Sequence, residues 1–273
     1  MSISVIIVSF KSDSRIEECL KNLGKKYKKI IVDTSRDKNL KKKLEKKFLN
    51  TKVILTSNIG YGAAMNLGIK SAKTKYVFMT TPDILLKNDT LTNLYLAAKK
   101  LKNNFSFLSP VAKSYKSKSL IEVKTCEGFA VFVEKKTFIK IGVWDSKFFL
   151  FYEDHDLCKR FNNTKKKIYL VPNAKVKHKV GGFYRDEIVN EIEICKNWHF
   201  MWSKFYYNKK HNGLLYAYLI TAPFMIRSLL KSFFYFFIDA DKFKIYYARF
   251  SGLFNAYINK KSWYRPIIKN QKI

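Results

Sequence analysis

An α/β fold, built on a mixed and mainly parallel sheet flanked by helices, is predicted by three features of this 273-residue chain. Continuous apolar runs of strand length recur through its first third, and helix-length polar stretches separate them. Each run also ends in polar residues, as strands covered on both faces do.

The first run, ISVIIVSF (3–10), reads as a buried strand. It lacks a basic flank and is too short for a signal peptide. Residues 13–25 read as a helix, KIIVD (29–33) as the second strand and 37–48 as the next helix. KVILTS (52–57), a helix over 61–73 and KYVFMTT (75–81) complete a βαβαβαβ pattern. Such units cross over right-handedly, and their ligands bind beyond the carboxyl ends of the strands. That directs attention to Ser9, Asp33, Ser57, Asn58 and Asp83.

Asp33 closes the strand in IIVDTS. It suits a turn or helix cap, and equally a carboxylate accepting from a nucleobase N–H or a ribose hydroxyl. In NIGYGAAMNLG (58–68), Gly60 and Gly62 open a helix with small residues in its first turns, so a ligand could approach the backbone closely. The segment is neither GxGxxG nor a Walker motif. Asp83, in MTTPDILL (79–86), is a turn former or a hard oxygen ligand for Mg2+ or Mn2+ beside a diphosphate.

The stretch from Gly128 to Phe161 reads as strand, helix, glycine turn and aromatic loop, then a helix starting near Glu153. Four residues, Glu153, Asp154, His155 and Asp156, follow the aromatic run FFLFY (148–152). Acids in a first turn favour the helix dipole, and Asp156 with Arg160 has i,i+4 spacing. The adjoining rings predict a partly desolvated carboxylate with a raised pKa, useful for general-base work.

Beyond residue 183 the composition changes. The stretch 197–213 interleaves aromatic and basic residues, and 214–258 is strongly apolar with Arg227, Lys231, Lys242, Lys244 and Arg249 interspersed. The uncharged stretch 212–226 is 15 residues long, short of the roughly 20 that span a bilayer. An interfacial membrane helix on an anionic surface is the leading expectation; spanning, or packing on the catalytic part or a second subunit, are the others.

Lys and Arg number 53 against 21 acids, for a net charge of +32, yet only seven of the 53 are Arg. The lysines are scattered, which suits a solvated face, and no RNP, helix-turn-helix or zinc motif appears, so nucleic acid is not the expected partner. A basic nucleic-acid-binding α/β protein is kept as the alternative, together with a nucleotidyltransferase, which would place its glycine-rich loop after the first strand. Cys19, Cys126, Cys158 and Cys195 are too far apart in sequence for a CxxC pair and point to reduced thiols in a cytosol.

The order VSF, IIVDTS, NIGYGAAMNLG, TPDILL and GFAVFVEKKTFIKIGVWDSKFFLFYEDHDLCKRF resembles the family 2 glycosyltransferases of GT-A fold, in particular their bacterial rhamnosyltransferase-like branch. The resemblance covers roughly residues 2–213. It implies a catalytic domain over 1–182, with a nucleotide-binding half to about 110 and an acceptor-binding half after it, and a helical extension over 183–273. By the same resemblance Asp33 serves the nucleobase, Asn58 and Gly60 the nucleoside pocket, and Asp83 with His178 holds Mg2+ or Mn2+ beside the diphosphate; Ser9 at its strand end, and Gly62 and Asn66 in the glycine-rich helix start, join them in the expected set that binds a nucleoside-diphosphate sugar. Asp154 is the general base, with Glu153 beside it orienting the acceptor or capping the helix. The implied reaction is inverting transfer to a glycan or lipid-linked glycan, at the cytoplasmic face of an inner membrane. Departures are Thr81 where Asn commonly precedes Pro82, Thr34 after Asp33, Trp144 for Phe, and His155 at a usually apolar position.

Overall fold

The computed structural model describes residues 2–179 and 186–266. Among them the chain forms two compact units, one of residues 2–145 and 154–179, the other of 146–153 and 186–266. The expected boundary between 182 and 183 lies outside the described residues.

The first unit opens with β1 (Ile3–Ser9), α1 (Asp13–Leu23), β2 (Lys28–Asp33), α2 (Lys38–Lys47), β3 (Thr51–Leu55), α3 (Tyr61–Ser71) and β4 (Tyr76–Thr80). Each ends within about two residues of its predicted span. β1 pairs in parallel with β2 and β4, and β2 with β3. Side chains alternate between the two faces of a strand. Val5, Ile7, Ile31 and Phe78 therefore join one core with Leu20 and Leu44, whereas Ile6, Val32, Val77 and Met79 join another with Met65, Phe138 and Phe161. Two covered faces leave no polar position, which is why the runs are continuous.

The unit continues with β5 (Ile84–Leu86), α4 (Thr90–Lys100), β6 (Phe105–Val111), β7 (Ile121–Val123), β8 (Ala130–Glu134), α5 (Lys135–Ile141), α6 (Glu153–Asn162) and β9 (Lys167–His178). Strand order is β3-β2-β1-β4-β8-β6-β9-β5, with β7 on β9. β8 runs antiparallel to β4 and β6, so the sheet is mixed. No strand is expected from the sequence over 105–111 or 167–178. Pro110 and Pro172 interrupt those runs, and the register of the β6–β9 pair shifts between Pro110 and Val111; proline is confined to edges and irregular positions of a sheet.

In the second unit, α7 (Asp186–Asn212), α8 (Leu214–Phe236) and α9 (Ala240–Tyr257) share a core of Trp198, Met201, Trp202, Phe205, Ala217, Ala248, Leu253 and Ala256. The aromatic residues interleaved with lysines over 197–213 are thus largely core, and Trp198, Trp202 and Phe205 have no surface to offer a nucleobase. His199 is neutral: burial pulls its pKa down to about 3, and its Nε2 donates to the Tyr264 carbonyl at 2.8 Å. Its ring stacks on Phe149 at 4.3 Å, and the Arg265 guanidinium lies 3.8 Å from the centre of the same Phe149 ring. Ser203 Oγ donates to the Leu150 carbonyl at 2.9 Å. Phe151 and Tyr152 both take left-handed backbone, φ 68° and 65°, and both rings contact Phe200. Two consecutive bulky residues in that region cost about 1–3 kcal/mol each, and the ring contacts offset it.

Candidate active site

The carboxyl ends of the first strands carry the donor-side candidates. Ser9 lies opposite Asp33 in the β1–β2 pair. Ser9 Oγ shares a hydrogen bond with Ser12 Oγ at 2.9 Å, and the Ser9 carbonyl accepts from the Thr34 N–H. Asp33 is fully buried; its carboxylate accepts from Ser35 Oγ at 2.8 Å and from the Asp37 N–H at 3.0 Å. Burial is the largest influence on it and raises its pKa. Asp37, not Asp33, caps α2 by accepting from the Leu40 N–H.

Asn58 is half-buried just ahead of α3, and Gly60 caps that helix with φ 95°, a conformation that favours glycine. A Cβ on Gly62 would lie 2.9 Å from Trp144 Cβ, so on that side Trp144 uses the close approach that glycine permits. Asn66 braces the same residue: its Nδ2 donates to the Trp144 carbonyl at 2.8 Å and its Oδ1 accepts from the Trp144 N–H at 3.2 Å. That accounts for its amide structurally.

Asp83 sits between β4 and β5. The antiparallel β5–β9 pair sets Ile84 opposite His178, and His178 Nε2 lies 2.8 Å from Asp83 Oδ2. Among the described residues, the buried Asp83 Oδ1 and Thr81 Oγ1 have no hydrogen-bond partner. A buried acceptor left unmade costs free energy unless a ligand or ion completes it. One carboxylate and one imidazole suit a divalent ion that takes its other oxygens from a diphosphate and water. Among the described residues no cluster of three or more His, Cys, Asp or Glu offers a complete protein cage.

On α6, Asp154 Oδ2 accepts from the Gly128 N–H at 3.2 Å, and Oδ1 accepts from the His155 N–H at 2.8 Å and lies 2.9 Å from His155 Nδ1. Burial is the largest single influence and pushes its pKa up, but the His155 side chain, the His155 N–H and the Gly128 N–H together bring it below the ordinary carboxylate value. The raised pKa expected from the neighbouring rings is therefore corrected. Burial contributes desolvation, and hydrogen bonds to the ionised form outweigh it. Glu153, the first residue of α6, is buried. Asp156 is fully buried and accepts from Arg160 Nε at 2.9 Å; Arg160 also donates to the carbonyls of Ile141, Gly142 and Val143. Asp156 is structural, as its spacing suggested.

Gly128 ties these groups together. Its carbonyl accepts from Tyr61 Oη at 3.0 Å, its N–H serves Asp154, and a Cβ on it would lie 2.8 Å from Asp154 Cβ and 3.3 Å from Trp144 Cη2. The next residue, Phe129, packs its ring on His178 at 4.8 Å. Successive residues thus touch the candidate base and the Asp83–His178 pair. A cavity of about 270 Å³, lined by Ser109, Lys113, Tyr115, Cys126, Glu127 and Phe129 among others, opens against the same segment. Cys126 and Cys158, distant in sequence, meet here: Cys158 Sγ lies 3.7 Å from the Cys126 carbonyl, and contact between the thiols raises the Cys126 pKa and lowers that of Cys158. Sequence reasoning missed Tyr61, Gly128 and His155. Only His155 carried a signal, as a polar residue where the resembling family is apolar.

Residues 4–192 match the model of Glycosyl transferase family 2. The chain is 24% identical over 210 residues to the rhamnosyltransferase WbbL of Escherichia coli strain K12, covering 62% of this chain and 80% of that one. Among solved structures, GalNAc-T7 with UDP, GalNAc and Mn2+ superposes with a TM-score of 0.59 at 13% identity, over 81% of this chain and 57% of that one. The mannosyltransferase PcManGT of Pyrobaculum calidifontis, with GDP-Man and Mn2+, gives 0.58 at 13%, over 95% and 88%. These likenesses show the GT-A fold.

Proposed function

The chain belongs to glycosyl transferase family 2 and is a nucleotide-sugar glycosyltransferase, and from that premise we propose that it moves a hexose, with rhamnose the first candidate, to a hydroxyl of a cell-surface or lipid-linked glycan with inversion at the anomeric carbon. The observation that carries this reading is the Asp154 carboxylate, kept ionised by Gly128 and His155.

Asp154 takes the proton from the acceptor hydroxyl as that oxygen bonds to C1 of the donor sugar. The bond from C1 to the diphosphate oxygen breaks with its electron pair on the nucleoside diphosphate, which leaves. A carboxylate of low pKa suffices, because bond formation to an oxocarbenium-like carbon makes the attacking hydroxyl strongly acidic. Glu153 assists in orienting the acceptor. On the donor side Asp33, Asn58 and Gly60 serve the nucleoside, with Ser9 at the same sheet edge. Asp83 and His178 would hold Mg2+ or Mn2+, a metal that the neighbours with bound Mn2+ support in general. When bound, that ion supplies Lewis-acid stabilisation of negative charge on the diphosphate. The enzyme works at the cytoplasmic face of a membrane, where lipid-linked acceptors are presented.

A thermal-shift screen of nucleoside diphosphates and their sugars, with and without Mg2+ or Mn2+, tests the reading, since a ligand bound to the native state raises Tm according to its affinity. Stabilisation by one nucleotide class, followed by release of that nucleoside diphosphate on adding a glycan acceptor, is expected. Absence of any nucleotide-dependent shift would contradict it.

A further inference from the structure

We propose that α8 is an in-plane membrane anchor, lying along the surface of an anionic bilayer with Leu215, Leu219, Ile226, Leu230, Phe233 and, at its C-cap, Phe237 in the acyl boundary. All six are exposed, Leu215 and Phe233 at 73% and 70%. Their spacing gathers them within an arc of roughly 60° along a helix about 34 Å long. An apolar face that large and continuous marks a partner.

The opposite stripe decides how the helix lies. Ala217, Thr221, Ser228 and Ser232 are buried along the whole of α8, and α9 holds it near both ends. Thr221 Oγ1 bonds Tyr257 Oη at 2.9 Å and Tyr218 Oη donates to the Tyr257 carbonyl at 3.0 Å. Towards the other end Tyr235 stacks on Tyr246 at 5.4 Å, and Lys231 Nζ donates to Tyr246 Oη at 3.1 Å. A spanning α8 would carry α9 with it, and with α9 Asp241, Lys242, Lys244 and Arg249, each costly in hydrocarbon. An in-plane helix leaves them at or above the headgroups.

Charge selects the lipid. Arg227 and Lys231 lie on α8 between the exposed and buried stripes, and residues 214–258 hold five basic residues against two acidic. Basic residues flanking an apolar stripe attract acidic headgroups. Hydrophobic residues facing outward along a helix whose small residues face inward would otherwise be left in water.

The inference rests on the proposed location at a membrane for its setting but on neither donor nor acceptor, and vesicle binding is measured without either, so its failure and that of the transfer reading are separable. Full-length protein is floated with phosphatidylcholine vesicles containing about 30% phosphatidylglycerol, and with phosphatidylcholine alone. Flotation with the anionic vesicles, weakened by salt and reversed by alkaline carbonate, is expected. The combined variant Leu219→Asp, Leu230→Asp and Phe233→Asp should bind about 100-fold more weakly. Its melting temperature should be unchanged, because the three positions are exposed. Arg227→Gln should weaken binding about fivefold and flatten its salt dependence. Retention in the membrane after carbonate would mean that α8 spans. Unchanged binding by the triple variant would assign attachment to the scattered lysines, and a stable oligomer that ignores vesicles would assign the face to a second copy. Any of the three overturns the proposal.

Discussion

Gly128→Ala is the most informative single substitution, because one methyl group tests the junction of Tyr61, Trp144 and Asp154. The new Cβ would stand 2.8 Å from Asp154 Cβ and 3.3 Å from Trp144 Cη2. Carbon atoms pack best at about 3.5–4.0 Å, so something must yield by roughly 0.7 Å or more. Trp144 is poorly placed to yield: it is buried, its N–H and carbonyl are bonded to Asn66, and its indole lies against Tyr61 and Phe138. Asp154 and the 126–129 segment therefore move apart, and the 3.2 Å bond from the Gly128 N–H to Asp154 Oδ2 is lost. Overpacking of this kind costs about 1–3 kcal/mol of stability. Misplacing a reacting group by about 1 Å costs about 100-fold in rate. The assay compares kcat, nucleotide affinity and Tm for variant and wild type, using the donor that gives the largest thermal shift. A modest drop in Tm with kcat down about 100-fold and near-normal nucleotide binding is expected. A folded variant whose kcat stays within about threefold of wild type would refute the argument that this contact aims the carboxylate.

Asp154→Asn should fold and bind nucleotide yet lose about 10²- to 10⁴-fold in transfer, read as release of nucleoside diphosphate; near-normal turnover would return Asp154 to a purely structural part in α6. His155→Ala removes the side-chain contact that lowers the Asp154 pKa, so burial dominates and the acidic limb of kcat/KM should move to higher pH; an unmoved limb argues against their coupling. The same depressed pKa lends stability above the unfolded Asp value of about 3.9 that is lost as pH falls below it, so acid melting of His155→Ala should be less steep there. Asp83→Ala and His178→Ala should each abolish the extra thermal shift that Mg2+ or Mn2+ adds to a nucleoside diphosphate; a metal-dependent shift that survives both places the ion elsewhere. Arg160→Met leaves the buried Asp156 carboxylate without its guanidinium and should cost about 3–5 kcal/mol of stability, measured by denaturant melting, whereas a surface pair would cost under about 1 kcal/mol.

Much of this was legible in the residues because it is local. Apolar runs without a polar position announce strands covered on both faces, and Gly60 at the start of α3 and the i,i+4 pair Asp156–Arg160 depend on neighbours a few positions away. The order of such motifs also carried the family and its fold. What the sequence could not decide was which distant groups meet, because that depends on strand order and register. Asp83 and His178 are 95 positions apart and touch only because β5 pairs antiparallel with β9 in one register. The direction of the Asp154 pKa was likewise beyond reach: FFLFY and His155 are visible as neighbours, but that the His155 ring turns onto the carboxylate and outweighs burial, with the Gly128 N–H from 26 positions upstream adding to it, is decided by packing. Gly62 advertised space that Trp144 fills on one side, and the aromatic residues of 197–213 and of α8 look alike in composition although Trp198, Trp202 and Phe205 are core and Phe233, Phe234 and Phe236 exposed. Spacing along a chain sets backbone period and helix ends; burial, partner and protonation belong to the packed structure, where each group's surroundings come mostly from elsewhere in the sequence.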